Sequence, residues 1–185
     1  MRTIVATVAL AVMAVLPAAS QAQRGTKMVG GAAMYPSKDI IDNAVNSKDH
    51  TTLVAAVKAA GLVETLKGTG PFTVFAPTNK AFDALPAGTV ETLLKAENKA
   101  MLSGILTYHV VAGTHDVASL AKAIRAGHGK AELTTVNGGK LWAMMKGKRV
   151  MLKDEKGNTA TVTIANVMQS NGVIHVVNKV LMPAK

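Results

Sequence analysis

Hydrophobic residues change their spacing about halfway along the chain. In the first half they recur every three or four residues, as in Leu53, Val57 and Ala60, and again in residues 97 to 106. That spacing places apolar side chains on one face of a helix, and Gly61 is a suitable residue to end the first of these helices. The pattern therefore predicts a first half built from short helices.

From Ala131 onward the pattern is typical of a meander of strands. Three turn signals separate the apolar runs there: Asn137-Gly138, residues 154 to 157, and Asn171-Gly172. Residues 159 to 166 alternate between apolar and mainly threonine side chains, which predicts a strand with one solvated side. Residues 173 to 181 are almost wholly apolar, which predicts a central strand covered on both faces.

Residues 72 to 82, FTVFAPTNKAF, contain the sharpest transition in the chain. A β-branched and aromatic run ends at Pro77, and Thr78 and Asn79 can cap a helix that begins directly after them. We therefore predict a buried strand that converts to a helix within two residues. A second extended segment is predicted over residues 108 to 111.

The first 35 residues carry targeting and linker signals. Arg2, an apolar run over residues 4 to 16 and the small residues of Ser20-Gln21-Ala22 predict a secretory signal peptide over residues 1–22. Residues 23–35 contain several glycines and no periodicity, which predicts a flexible leader. Residues 36–185 then form one domain without a transmembrane segment, and we expect it to be exported to the periplasm or the extracellular space.

Composition narrows the possible chemistry. The chain has no cysteine, which excludes disulfides and thiolate metal sites. Basic residues are concentrated near the C-terminus: residues 23 to 121 have nine Lys or Arg against eight Asp or Glu, and residues 122 to 185 have eleven against three. A localised positive field attracts anionic polymers or membrane surfaces.

Three sequence blocks stand in order: FTVFAPTNKAF at 72–82, LTYHVVAG at 106–113 and NGVIHVVNKVLMP at 171–183. Together they resemble the fasciclin-like domain family, and in particular its small, single-domain, exported bacterial members. The resemblance implies an α+β fold, a β-sandwich or wedge of about seven strands with flanking helices. It also implies a role in adhesion to cell surfaces, matrix or partner cells. The residues that carry the family motifs, with a mainly structural role, are Thr73, Phe75, Pro77, Thr78, Asn79, Phe82, Tyr108, His109, Asn171, Gly172 and His175.

The sequence departs from the family at one place. Adhesive animal members have an Asp-Ile pair just before the last block, which is implicated in integrin binding, and the matching positions here are Asn166-Val167. Because the acidic group is absent, that mode of binding is not carried over.

Metal, catalytic and cofactor sites are not expected. The five histidines and ten methionines show no ligand spacing, and methionines are better explained as core filling. No nucleophile elbow, paired carboxylates or phosphate-binding glycine loop is present, so we expect no enzyme activity. Tyr108-His109 and His175 are either binding determinants or buried groups whose hydrogen bonds fix the fold.

A basic hairpin is the candidate site for an anionic partner. Its residues are Lys140, Trp142, Lys146, Lys148, Arg149, Lys153 and Lys156, and only Asp154 and Glu155 offset the charge. It either docks onto an anionic polysaccharide or lipid surface, with Trp142 as an apolar or sugar-stacking face, or is a solvated edge that prevents aggregation. Nucleic acid is disfavoured by export and by the presence of only six aromatic residues.

The sequence therefore predicts an exported, non-enzymatic adhesion or binding module, whose partner is a cell-surface or matrix protein or an anionic polysaccharide or lipid. Two alternatives stay open. One is a periplasmic protein that binds a small ligand or lipid in an apolar cleft between the helices and the sheet. The other is an envelope enzyme induced by stress or symbiosis.

Overall fold

The computed structural model describes residues 25–184, so the predicted signal peptide over residues 1–22 lies outside the described residues. In chain order the elements are β1 (Lys27–Val29), β2 (Ala32–Met34), α1 (Ile40–Ala44), α2 (Thr51–Ala60), α3 (Val63–Lys67), β3 (Phe72–Pro77), α4 (Asn79–Asp83), α5 (Thr89–Leu93), a 3₁₀ turn (Ala96–Asn98), α6 (Lys99–Tyr108), β4 (Val110–Ala112), α7 (Val117–Ala126), β5 (Ala131–Thr134), β6 (Lys140–Lys146), β7 (Arg149–Lys153), β8 (Thr159–Gln169) and β9 (Gly172–Val177). Helices dominate the first part and strands the last, as predicted.

Seven of the strands form one mixed sheet in the order β4-β3-β9-β8-β7-β6-β5. β3 and β9 are parallel, and every other neighbouring pair in this sheet is antiparallel. A bridge between Val111 and Thr135 joins its two ends, so the sheet curls almost into a barrel. This is the predicted α+β architecture of about seven strands with flanking helices.

β3 and β9 lie between two hydrophobic cores. Successive side chains of a strand point to opposite faces, so Val74 enters a first core with α1 to α6, whereas Phe75 enters a second core with α7. On β9, Ile174 and Val177 divide in the same way. The prediction of a central strand covered on both faces is confirmed, although the strand ends at Val177 rather than Leu181.

The junction at residues 72 to 82 joins three elements. Thr78 caps α4, because its hydroxyl oxygen accepts a hydrogen bond from the backbone three residues later. Asn79 instead caps α2: its Oδ1 accepts from the Thr52 amide at 3.1 Å, and its Nδ2 donates to the Lys48 carbonyl at 2.8 Å. One Thr-Asn pair therefore fixes the starts of two helices.

Residues 27 to 34 form a β-hairpin, in place of the flexible leader that the sequence predicted. Gly30 and Gly31 have positive φ angles of 57° and 76°, as in the two-residue turns that suit hairpins. The glycines that indicated flexibility thus form the turn itself. Val29 and Met34, on the two strands, are buried in the first core.

The prediction that methionines fill the core is wrong for at least half of the eight that the structure describes. Met34 is buried, but Met28, Met101, Met145 and Met168 are exposed. An isolated methionine in a sequence indicates an apolar side chain without indicating the face to which it belongs.

Candidate interaction surface

The β6–β7 hairpin separates its apolar and basic residues by strand alternation. Leu141, Ala143, Val150 and Leu152 are buried in the second core. Their neighbours in sequence lie on the opposite, solvent side of the sheet. We call this side the basic face, and it consists of Lys140, Trp142, Met144 and Lys146 on β6 and Arg149, Met151 and Lys153 on β7.

Cross-strand pairing arranges the basic face in rows. Trp142 is opposite Lys153, Met144 is opposite Met151, and Lys146 is opposite Arg149. Five of the seven residues predicted for an anionic partner therefore share one face. The other two, Lys148 and Lys156, are exposed in the turns that precede and follow β7.

The two acidic residues that were expected to offset this charge are engaged in the fold. The Asp154 carboxylate accepts hydrogen bonds from the Asn158 amide at 2.7 Å and the Met182 amide at 2.9 Å. The Glu155 carboxylate accepts from the Ala184 and Lys140 amides, and these bonds lower the pKa of Glu155. Both carboxylates thus bind backbone groups at the base of the hairpin.

Glu132, on β5, is the acidic residue that contacts the basic face. Its carboxylate lies 2.8 Å from Lys140 Nζ and accepts a hydrogen bond from Trp142 Nε1 at 3.3 Å. The hydrogen bond from Lys140 is the main cause of its lowered pKa. Lys130 Nζ lies 5.9 Å from the centroid of the Trp142 ring, within the range of a cation–π contact. The indole is therefore held by groups on β5 and just before it.

The remaining cations of the hairpin have no acidic partner. Within residues 25–184, no ion pair involves Lys146, Lys148, Arg149 or Lys153. All four residues are exposed. Their charges are therefore available to a ligand.

Lys130, Glu132, Met144 and Met151 belong to this surface but were not among the predicted site residues. The Asn137-Gly138 turn could have indicated that Lys130 and Glu132 lie near this surface, because a hairpin turn fixes which residues of its two strands face each other. That register places Glu132 opposite Trp142.

Tyr108 and His109 are buried at the end of α6, where the sequence predicted an extended segment. The Tyr108 hydroxyl donates to the Lys140 carbonyl at 2.6 Å and accepts from the Glu155 amide at 3.1 Å. Burial raises the pKa of Tyr108 to about 12. Tyr108 thus ties α6 to the base of the basic hairpin.

Both ring nitrogens of His109 and of His175 are hydrogen-bonded. His109 Nδ1 donates to the Ile105 carbonyl at 2.8 Å, and Nε2 accepts from the Leu181 amide at 3.0 Å. His175 Nε2 donates to the His115 carbonyl at 2.8 Å, and Nδ1 accepts from the backbone at residue 166. Burial lowers the pKa of both rings, that of His109 to about 4. Neither ring presents a free nitrogen to solvent.

The other family-motif residues also contact the fold interior. Thr73, Phe75, Phe82 and Asn171 are buried, and so is Pro77 at the end of β3. The Asn171 side chain joins the start of α1 to the end of α3, accepting from the first and donating to the second. At Gly172 a side chain is excluded, because an added Cβ would lie 2.0 Å from the Phe72 carbonyl oxygen.

Asn166 and Val167 occupy an irregular part of β8. The predicted alternation holds at Ala160 and Val162, after which two register shifts interrupt the pairing with β9. Asn166 has a positive φ of 56°, and its side-chain oxygen accepts from the Val117 amide at 2.8 Å, at the start of α7. Val167 is buried. In this chain the two positions therefore connect β8 to α7 and to the first core.

An apolar cavity of about 60 Å³ lies between the helices and the sheet, where the cleft of the alternative function was expected. Val29, Met34 and Ile174 are among the residues that line it. His50 also lines it; within the described residues its Nε2 has no hydrogen bond of good geometry, and burial lowers the pKa of the ring despite the opposing effect of the nearby backbone of Ala76. A cavity that holds benzene measures about 150 Å³, so this one is too small for a lipid chain.

The structure contains no helix within residues 25–184 whose length and apolar character would allow it to cross a membrane.

The sequence of this chain is similar to those of several known proteins, and the similarity agrees with the architecture. The family model for the Fasciclin domain matches residues 48–183. Protein sll1483 of Synechocystis is 45% identical over 175 residues, which cover 95% of this chain and 90% of that protein. Transforming growth factor-beta-induced protein ig-h3 of Sus scrofa is 38% identical over 80% of this chain and 20% of its own length. Cell surface glycolipoprotein MPB83 of Mycobacterium bovis is 35% identical over 89% of this chain and 68% of its own.

Among solved structures, the FAS1 domain pair of the insect cell adhesion molecule fasciclin I superposes with a TM-score of 0.69 at 18% identity. The match covers 78% of this chain and 51% of that one. At this identity the likeness concerns the fold alone.

Proposed function

Because this chain belongs to the fasciclin domain family, we propose that it is an exported adhesion module that contacts an anionic partner through its basic face. Members of the family are cell-adhesion and cell-surface modules without catalytic activity. Export to the periplasm or the extracellular space is supported by the signal-like residues 1–22 and by the cell-surface name of a relative.

A single observation carries the choice of the basic face. Lys146, Lys148, Arg149 and Lys153 are exposed and form no ion pair with any residue from 25 to 184, while Asp154 and Glu155 are turned toward backbone groups. The alternative of a lysine-rich edge does not apply, because β6 and β7 lie between β5 and β8 and neither is an edge strand. Because Asp154 and Glu155 bind backbone amides, they do not pair with these four cations, which strengthens the attraction of this part of the face for anions.

Charge reversal on the hairpin tests the proposal. The substitutions Lys146→Glu, Lys148→Glu and Arg149→Glu should abolish binding of the purified protein to an acidic polysaccharide column. The matched control is Lys58→Glu, Lys80→Glu and Lys95→Glu, which changes the net charge equally at exposed positions on or beside α2, α4 and α5.

The control should keep its binding, and binding of the unmodified protein should weaken as salt rises, because exposed charges are screened over about 8 Å at physiological ionic strength. Equal losses in the two triple variants would show that net charge, and not the basic face, is responsible. Binding that survives in the hairpin variant would exclude the proposal.

A further inference from the structure

We propose that the basic face is specific for anionic polysaccharide: sugar rings lie on Trp142, Met144 and Met151 while carboxylates reach the surrounding cations. This inference rests on the proposed function and names the chemical class of its partner. It depends on the arrangement of apolar and charged residues within the face, which charge alone does not determine.

The three apolar residues form a strip in the middle of the face. Met144 and Met151 are directly opposite each other, and Trp142 is in the adjacent row. Rows two residues apart on a strand are separated by about 7 Å, at roughly 3.3 Å per residue. Lys146 and Arg149 border one end of the strip, and the opposite end is bordered by Lys140 and, across from Trp142, by Lys153. An extended polymer can thus contact apolar and cationic groups together.

The length of the face suits a chain of several sugar units. Lys140 and Lys146 are six residues apart on one strand, which corresponds to about 20 Å. Thr159 and Thr161, on β8, continue the rows of Lys153 and Met151 and add hydroxyl groups beside the strip. Hydroxyl groups next to an apolar strip match the alternation of C–H faces and hydroxyls on a sugar.

The Trp142 ring is fixed before any ligand arrives. Glu132 accepts its Nε1–H, and the Lys130 ammonium group lies over the ring. An aromatic ring that is already ordered loses less conformational entropy on binding. Lys130 also places positive charge at the ring, where the carboxylate of a stacked uronate would lie, whereas the charge of Lys140 is offset by Glu132.

The depth of the strip favours polysaccharide over a membrane. Trp142, Met144 and Met151 are half-buried in the sheet face, whereas Lys146, Arg149 and Lys153 are exposed around them. Binding to a bilayer requires apolar side chains to enter the headgroup and acyl boundary. Here the longer, charged side chains would meet the bilayer first. Nucleic acid is disfavoured because the face has one aromatic ring, and strand binding uses successive stacking platforms.

The test compares two polyanions that carry the same charged group. Polygalacturonate has carboxylates on sugar rings, and polyacrylate has carboxylates on a plain aliphatic chain. Affinities of the purified protein for both are measured by calorimetry at one ionic strength, with anionic phospholipid vesicles as a third ligand. We expect polygalacturonate to bind about tenfold more tightly than polyacrylate, in line with the size of aromatic stacking contributions.

Substitutions locate the preference. Trp142→Ala should lower affinity for polygalacturonate about tenfold and leave that for polyacrylate within about twofold. The control is Tyr35→Ala, which removes an exposed ring outside the basic face that likewise has a lysine ammonium over it, 5.4 Å from the ring centroid. If Trp142→Ala fails to fold, Met151→Thr removes part of the strip with a residue that favours strands.

Each outcome bears on a different claim. Equal affinity for the two polymers, or an equal loss of both in Trp142→Ala, would overturn the polysaccharide inference while leaving an anion-binding face intact. Tighter binding to vesicles than to polygalacturonate would replace polysaccharide with lipid as the partner. Failure to bind any of the three would overturn the proposed function as well.

Discussion

Acidification should destabilise this protein through its buried histidines, and His109 provides the largest defined contribution. The ring is 2% exposed, and both nitrogens are hydrogen-bonded in the neutral form. A second proton would displace the bond from the Leu181 amide and place a charge beside the hydrophobic cores. Burial accordingly lowers the pKa of His109 from 6.5 to about 4.

The sign and size of the effect follow from these two values. Between pH 6.5 and pH 4 the unfolded chain binds a proton at this position that the folded chain does not, so stability falls as the pH falls. The fall of the His109 pKa from 6.5 to about 4 corresponds to about 3 to 4 kcal/mol of unfolding free energy, at roughly 1.4 kcal/mol per pKa unit. Burial also lowers the pKa of His50 and His175, so the whole protein should lose more than this.

The measurement is urea unfolding at several pH values between 7.5 and 4.5. The His109→Gln variant should be less stable at pH 7.5 but should lose less stability on acidification, because one titrating group is absent. His128→Asn is the control, since His128 is exposed and asparagine tolerates its positive φ of 54°. Comparing variants at each pH cancels the contribution of the carboxylates. An unfolding free energy that is constant from pH 6.5 to 4.5, or an unchanged slope in His109→Gln, would refute the reasoning.

Three further predictions concern contacts that hold the hairpin and the helices in place. Thr78→Ala should lower the unfolding free energy by about 1 kcal/mol, because it removes one helix cap. Asn79→Ala should lower it by about 2 kcal/mol, because it removes a helix cap and a further hydrogen bond. If urea unfolding showed Thr78→Ala to be the less stable of the two variants, this prediction would be contradicted. Tyr108→Phe leaves the Lys140 carbonyl and the Glu155 amide without the hydroxyl that they bind. It should lower the unfolding free energy by about 1 to 3 kcal/mol, measured by thermal unfolding. Gly139→Ala should lower the unfolding free energy by roughly 1 to 3 kcal/mol, because its Cβ would lie 2.7 Å from a Tyr108 ring carbon. A melting temperature equal to that of the unmodified protein would contradict this close packing.

Local patterns were sufficient for most elements of the fold. The 72–82 junction and the late turns depend on residues that are close in sequence, and each is present in the structure. The N-terminal hairpin was missed because its strands are only three residues long, too short for a periodic pattern. The helical state of Tyr108 was missed because the apolar run after it resembles a strand.

The candidate surface was predicted only in part. Charge density identified Lys146, Lys148 and Arg149 directly from the sequence. The role of Glu132 depends on its pairing with Trp142 across two strands. The orientation of Asp154 depends on a hydrogen bond to the amide of Met182, 28 residues later. Contacts between positions that are distant in sequence leave no local signal. The sequence composition therefore indicated that Asp154 and Glu155 would offset the nearby cations, whereas both carboxylates bind backbone groups.

Because β3 pairs in parallel with β9, the sheet cannot be completed before β9 is present. Residues 72 and 172 are partners, so the strand between the two cores is supplied by the end of the chain. Such long-range pairings carry a large loop-closure cost and slow folding. A chain that lacks residues 172 to 177 should therefore leave both cores open along one side. The native fold should therefore form only once residues 172 to 177 are available to pair with β3.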